Sequence, residues 1–119
     1  MHSEYLRLLA EKGPVTFFAM CKSFLLSEIH KRIIGRRHNV TIHPSAAVDS
    51  DTAFGTAGTI TIQQDCRIRK HVVIAPSGGR ITIGANSLLN VSVALLGQGS
   101  ITIDSDVLIG PQTTIAAAN

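Results

Sequence analysis

The chain has 119 residues, of which 45% are hydrophobic and 4% aromatic, enough for one domain with an aliphatic core. Cys21 and Cys66 stand in different segments without a pairing pattern, which argues against a disulfide-stapled secreted domain and predicts a cytoplasmic protein. We expect no signal peptide and no membrane span, since the longest uncharged run, 81–103, contains asparagine, glutamine and serine.

Residues 1–38 predict an N-terminal helical cap. The segment "SEYLRLLAEK" predicts a short helix that Ser3 caps, and the "GP" at 13–14 breaks it. Pro14 suits the first turn of a second helix, which we expect to continue to about Ile34 and to end at Gly35. Apolar residues recur along this helix at helical spacing, so it should cover the open end of the domain at 39–119.

Positive charge is concentrated in the same segment. Residues 1–38 contain seven Lys and Arg against three Glu, whereas residues 39–119 contain four against five Asp. The cluster "HKRIIGRRH" at 30–38 therefore accounts for the excess, either as a solvated helix end or as a peripheral contact to anionic lipid. The lipid contact would place the protein at the inner face of the membrane. Nucleic acid is not expected as a partner, because no aromatic platform accompanies the charge.

The remaining chain repeats itself. The phrases "GTITI", "GRITI" and "GSITI" begin at Gly58, Gly79 and Gly99, so the period is 20 or 21 residues. Within each repeat an apolar side chain recurs every six residues. The resulting lattice has twelve positions: Ile42, Val48, Phe54, Ile62, Ile68, Ile74, Ile83, Leu89, Leu95, Ile103, Ile109 and Ile115.

A six-residue period does not suit a helix, but it keeps side chains on one side of a strand. Three hexads that each turn a corner close a triangular coil, and the extra residues fall in the turn-forming segments 55–58, 75–79 and 97–99. The pattern predicts a mainly β fold, a parallel β-helix of about four coils over 39–119 with the lattice side chains inside. A β-sandwich or barrel would show turns at intervals of about 8–12 residues without such a lattice.

The hexads "ITIGAN", "ITIDSD" and "VLIGPQ" resemble those of the hexapeptide-repeat acyltransferases, most closely the sugar O-acetyltransferases of the galactoside and maltose acetyltransferase type. The resemblance covers about 40–119. It implies left-handed coils, a homotrimer, acetyl-CoA as donor, and a sugar hydroxyl of a polysaccharide or its precursor as acceptor. It also implies a histidine base at position 120, directly after Asn119, so that the β-helix is truncated and the 119 residues alone should be inactive.

The same resemblance assigns acceptor binding to Asn90 and Asn119. For Asn90, a turn at a corner of the coil is the structural alternative. Relatives in this family carry a tyrosine where this chain has Leu88, and an acidic residue where it has Gln98. Both differences leave the identity of the acceptor open.

No histidine of the chain lies at the family's catalytic position; the five are His2, His30, His38, His43 and His71. We expect His71 to be a solvated strand residue, with a substitute base as the alternative, and His43 to occupy a corner. Their spacing does not match the trio of the gamma carbonic anhydrases, so no metal site is expected. The alternative to an enzyme is a non-catalytic trimeric β-helix scaffold or an inactive fragment.

The glycines of "PSGGR" at 76–80 allow two interpretations. Glycine-rich loops can cradle a phosphate with their backbone amides. Glycine pairs at the corner of a repeat also form tight turns. We expect the turn.

Overall fold

The computed structural model describes residues 25–34 and 38–118. Residues 25–34 are helical and are called α1. The helix predicted at 3–12, the start of the second helix and its predicted stop at Gly35 lie outside the described residues. Within the described part of the chain twelve strands follow: β1 Val40–Ile42, β2 Ala47–Val48, β3 Ala53–Phe54, β4 Thr59–Ile62, β5 Arg67–Ile68, β6 Val73–Ala75, β7 Arg80–Ile83, β8 Leu88–Leu89, β9 Ala94–Gly97, β10 Ile101–Ile103, β11 Leu108–Ile109 and β12 Thr114–Ala117.

The strands stack into three four-stranded parallel sheets, in the orders β1-β4-β7-β10, β2-β5-β8-β11 and β3-β6-β9-β12. Each coil contributes one strand to each sheet, so the twelve strands form four coils of a left-handed parallel β-helix. The register joins Ile62 to Ile83 and Ile83 to Ile103, the same steps at which the sequence repeats. The predicted fold class is confirmed.

The predicted lattice lines the interior of the β-helix. All twelve side chains are buried except Ile42 and Ile115, which are partly buried against the same core. These two belong to the first and the last of the described coils, each of which has one neighbouring coil among the described residues. In the two central coils Ile74, Ile83 and Leu95 are fully buried.

A second set of inward positions was missed in the sequence. It lies two residues before each lattice position, because alternate residues of a strand point to the same side. Its members are buried or partly buried and form three columns: Val40, Ile60, Ile81 and Ile101; Ala46, Cys66, Ser87 and Val107; Thr52, Val72, Val93 and Thr113. Each hexad therefore contributes two interior side chains, one of them often small or polar.

The corners of the coils use left-handed backbone conformations. The corner between the first and second sheets, corner one, has positive φ at Asp65, Asn86 and Asp106, and the next, corner two, has it at His71, Ser92 and Gln112. Corner three holds the extra residues of the long repeat, with Gly58 and Gly78 at φ values of 94° and 92°. Short polar residues tolerate this region better than branched apolar ones.

Helix α1 covers the open edge of the first coil. Within the described chain no strand precedes this edge to pair with its carbonyl groups, and three side chains of the helix donate hydrogen bonds to them. Ser27 Oγ donates to Val48, His30 Nε2 to Thr52 at 3.1 Å, and Lys31 Nζ to Pro44 and Ala46 at 3.1 and 2.8 Å. Ile34 is buried in the core, and the His30 ring stacks on Phe54 with centroids 6.1 Å apart. Residues 25–34 therefore cover the first coil, whereas residues 1–24 and 35–37 of the predicted cap lie outside the described residues.

Candidate functional site

Asn90 directly follows β8 and is half-buried. Its side-chain Oδ1 accepts a hydrogen bond of 2.8 Å from the Val91 amide, and its backbone amide donates to Ile109 at 3.1 Å. These bonds stabilise the turn into corner two. Such a turn was the predicted alternative to acceptor binding for Asn90. Among the described residues Nδ2 has no hydrogen-bond partner, so the same side chain still offers a fixed donor to a ligand.

His71 lies on corner two, with a φ of 60°, between β5 and β6. The prediction of a strand residue was wrong, because the chain turns there, although the predicted exposure is confirmed by a side chain that is 70% exposed. Its Nδ1 lies 3.0 Å from Oδ2 of Asp51, and its backbone amide donates to Oδ1 of Asp51 at 3.1 Å. One carboxylate therefore holds both the ring and the backbone of His71.

Opposing effects act on the pKa of Asp51. Partial burial raises the pKa, but the hydrogen bond from the His71 amide, a further one with Asp49 and the charge of His71 outweigh it and hold the pKa below its usual value. Asp51 is thus ionised at neutral pH and favours the His71 tautomer with its proton on Nδ1. The lone pair on Nε2 is then free to accept a proton, as a general base requires.

Coil stacking brings Asn90 and the His71–Asp51 pair to the same corner. Leu89 pairs with Ile68, so Asn90 lies next to Arg69 of the preceding coil. Arg69 comes two residues before His71 in the sequence. The Ser92 amide donates to the carbonyl of Lys70 at 2.9 Å, which continues the corner into the next coil. We call Asp51, His71 and Asn90 the polar corner.

The other predicted residues do not join the polar corner. His43 occupies a corner as predicted, where its Nδ1 lies 2.8 Å from Ser45 Oγ, and His30 caps the first coil. His2 and Asn119 lie outside the described residues. Within residues 25–34 and 38–118, no three His, Cys, Asp or Glu side chains are arranged to hold a metal ion.

Two grooves run along the remaining corners, each of about 520 Å³. The groove at corner one is lined by Leu88 together with Ser45, Asp65 and Arg67. The groove at corner three is lined by Arg80 and the glycines, close to the exposed Gln98. Neither of these two grooves contains a histidine or reaches Asn90, so both are separate from the His71–Asp51 pair.

The glycines of corner three form a turn, as predicted. The Gly78 amide donates to Ala57 at 3.1 Å and the Gly79 amide to Pro76 at 2.9 Å, so neither amide is free to hold a phosphate. A Cβ on Gly79 would lie 2.5 Å from the carbonyl oxygen of Gly97 in the next coil. Only glycine allows this close approach between coils.

Comparison with known proteins identifies no relative: no family model, no curated protein and no solved structure matches this chain. The described part of the chain has no helix of the length and hydropathy needed to cross a bilayer.

Proposed function

We propose that this β-helix is the scaffold of an acyltransferase that moves an acetyl group from acetyl-CoA to a sugar hydroxyl of a polysaccharide or its precursor. The observation that carries the proposal is the six-residue lattice, which resembles that of the hexapeptide-repeat acyltransferases and is built as four stacked coils. Because a fold alone does not determine a reaction, the proposal depends on the hexads and on the residues at the corners.

Asn90 is proposed to hold the acceptor or the acetyl carbonyl through Nδ2. Its Oδ1 is already fixed by the Val91 amide, so the orientation of the amide group is set before a ligand binds. A donor that is held in advance stabilises developing negative charge without reorganisation during the reaction. The acetyl-CoA groove is proposed to lie between neighbouring β-helices of a homotrimer.

The base in this proposal is the histidine that the resemblance puts at position 120, not His71. It takes the proton from the acceptor hydroxyl as that oxygen attacks the thioester carbonyl. The C–S bond then breaks, and the coenzyme A thiolate leaves and takes up the proton. His71 is the weaker candidate, because its side chain is 70% exposed and lies outside both grooves. An exposed imidazole cannot exclude water from the thioester.

A non-catalytic trimeric scaffold is the second candidate. It is favoured by the separation between the grooves and the His71–Asp51 pair in the described residues. In that case the polar side chains of the corners serve only to close turns between strands.

The test is thiol release from acetyl-CoA with a panel of sugars, measured on the protein extended through the sequence its gene encodes after Asn119. Sugar-dependent release is expected, and Asn90→Ala should lower the rate by about tenfold or more through loss of a fixed donor. Gln63→Ala, which removes an exposed amide at another corner, should leave the rate unchanged. Absence of release with every sugar would instead favour the scaffold.

A further inference from the structure

Helix α1 has two faces of opposite character. The inner face, described above, is polar and hydrogen-bonds to the first coil through Ser27, His30 and Lys31. The other side, which we call the outer face of α1, exposes four large aliphatic side chains. They are Leu25 at 58%, Leu26 at 46%, Ile29 at 51% and Ile33 at 59%. Residues 25, 29 and 33 are four apart and therefore form one stripe.

This stripe differs from the other exposed apolar residues of the described chain. The other large ones are Val73 and Leu96, which lie on the neighbouring strands β6 and β9 but are offset by two residues and only 38% and 40% exposed, and Leu108, which stands alone on β11. Single apolar side chains on a surface need no explanation, whereas a contiguous group marks a surface that binds something. The outer face is such a group.

The charge beside the stripe is positive. Arg32 is exposed between Ile29 and Ile33, and the sequence continues with the basic residues of 36–38. Between Glu28 and Asp49 the sequence has no acidic residue, and the Glu28 carboxylate is 3.2 Å from Lys31 Nζ. An apolar stripe with cations and no free anion beside it is typical of helices that lie in the interface of an anionic membrane.

We propose that the outer face of α1 binds the surface of a bilayer that contains anionic phospholipid. The helix lies in the plane of the interface, with the aliphatic stripe among the upper acyl chains and Arg32 at the lipid phosphates. The lipid contact was predicted for the basic residues 30–38, and here it is assigned to the outer face of α1 instead. The reason is that His30 and Lys31 face the β-helix and cap its first coil. The proposal is independent of the acetyl transfer proposed above.

A second copy of the chain fits this face less well. A symmetric contact through the stripe would add a second Arg32 beside the same interface without a free carboxylate on either copy to pair with it, and like charges disfavour association. Four side chains that are each about half exposed also offer only about a few hundred Å² of apolar surface for burial. A stable protein interface buries about 800 Å² of accessible surface on each partner. A lipid surface has neither restriction.

The test is co-sedimentation of the full chain with vesicles of phosphatidylcholine containing about a third phosphatidylserine. The wild-type protein should bind these vesicles, bind pure phosphatidylcholine at least about fivefold more weakly, and be released as salt is raised. The double variant Ile29→Gln/Ile33→Gln should lower the partition coefficient by about tenfold or more. Arg32→Glu should lower it about fivefold, and only for the anionic vesicles.

Leu108→Gln is the matched control, because Leu108 is 69% exposed but lies in the last coil, far from α1 in the stack. This variant should bind as the wild type does. Circular dichroism and thermal unfolding establish that each variant is folded. The proposal is overturned if the wild-type chain does not bind anionic vesicles, or if the Ile29→Gln/Ile33→Gln variant binds them equally well. Residues 1–24 or a partner protein would then be the occupant of the outer face.

Discussion

The Nδ1 atom of His71 lies 3.0 Å from Oδ2 of Asp51, which occupies the same corner one coil earlier. The second oxygen of this carboxylate accepts the His71 backbone amide at 3.1 Å. The pair therefore fastens two successive coils at a position where His71 adopts a left-handed conformation. It also gives the chain an oriented imidazole on its surface.

Asp51→Asn should destabilise the protein at neutral pH and have little effect in acid. The folded-state pKa of Asp51 is lowered, so its contribution is present above the unfolded pKa of about 3.9 and is lost as the pH falls through the folded value. Chemical denaturation across this range measures the effect. Asp104→Asn is the control, since Asp104 is exposed. A difference between wild type and Asp51→Asn that persists unchanged at the lowest pH would contradict the assignment.

Ile83→Ala should lower the free energy of unfolding by about 2–5 kcal/mol. Ile83 is fully buried between coils two and four, so the deleted methyl groups leave a cavity that the stacked strands cannot close. Leu108→Ala changes a side chain that is 69% exposed, so it should lower the free energy of unfolding far less than Ile83→Ala does. Denaturant unfolding measures both, and equal losses would show that the lattice is not the core.

Thr52→Val should stabilise the protein by about 1 kcal/mol. The Thr52 hydroxyl is buried and has no hydrogen-bond partner among the described residues. Its column continues with Val72 and Val93, both fully buried, so a valine fits the same position. The free energy of unfolding is the measurement, with Thr82→Val on the outer side of β7 as the control. A loss of stability would indicate that the hydroxyl has a partner in solution.

Lys31→Met should lower the free energy of unfolding by about 1–3 kcal/mol, because it removes two charge-assisted hydrogen bonds to carbonyl groups of the first coil. Amide hydrogen exchange should show the loss of protection concentrated in β1, β2 and β3. Arg32→Met, at the exposed neighbouring position, should leave exchange in these strands unchanged. If both variants lose protection equally, the cap does not depend on Lys31.

The architecture could be predicted because burial repeats at a fixed interval in the sequence. Ile62, Ile83 and Ile103 occupy one column, and the period of 20 or 21 residues is enough to align them in the sequence. The second inward set was missed because its members differ in chemistry: Cys66 and Ser87 share a column although one is a thiol and the other a hydroxyl. Such positions are selected by the small space near a corner rather than by hydropathy.

The candidate site was harder to predict than the fold. The sequence indicates Asn90 only through its resemblance to a family, and a free Nδ2 appears only when the turn is seen. The partnership of His71 with Asp51 requires both the coil register and the direction of the turn, which six-residue spacing does not specify. The capping contacts of α1 join residues 13 to 22 positions apart, and no local pattern encodes them.

The most direct test of the proposed function is the rate of thiol release from acetyl-CoA by the protein extended past Asn119, compared between two variants. Changing the histidine expected at position 120 to alanine should lower the sugar-dependent rate by about 10²–10⁴. His71→Ala should leave the rate close to that of the unaltered protein. Turnover that is abolished by His71→Ala would contradict the account and make the His71–Asp51 pair the catalytic base.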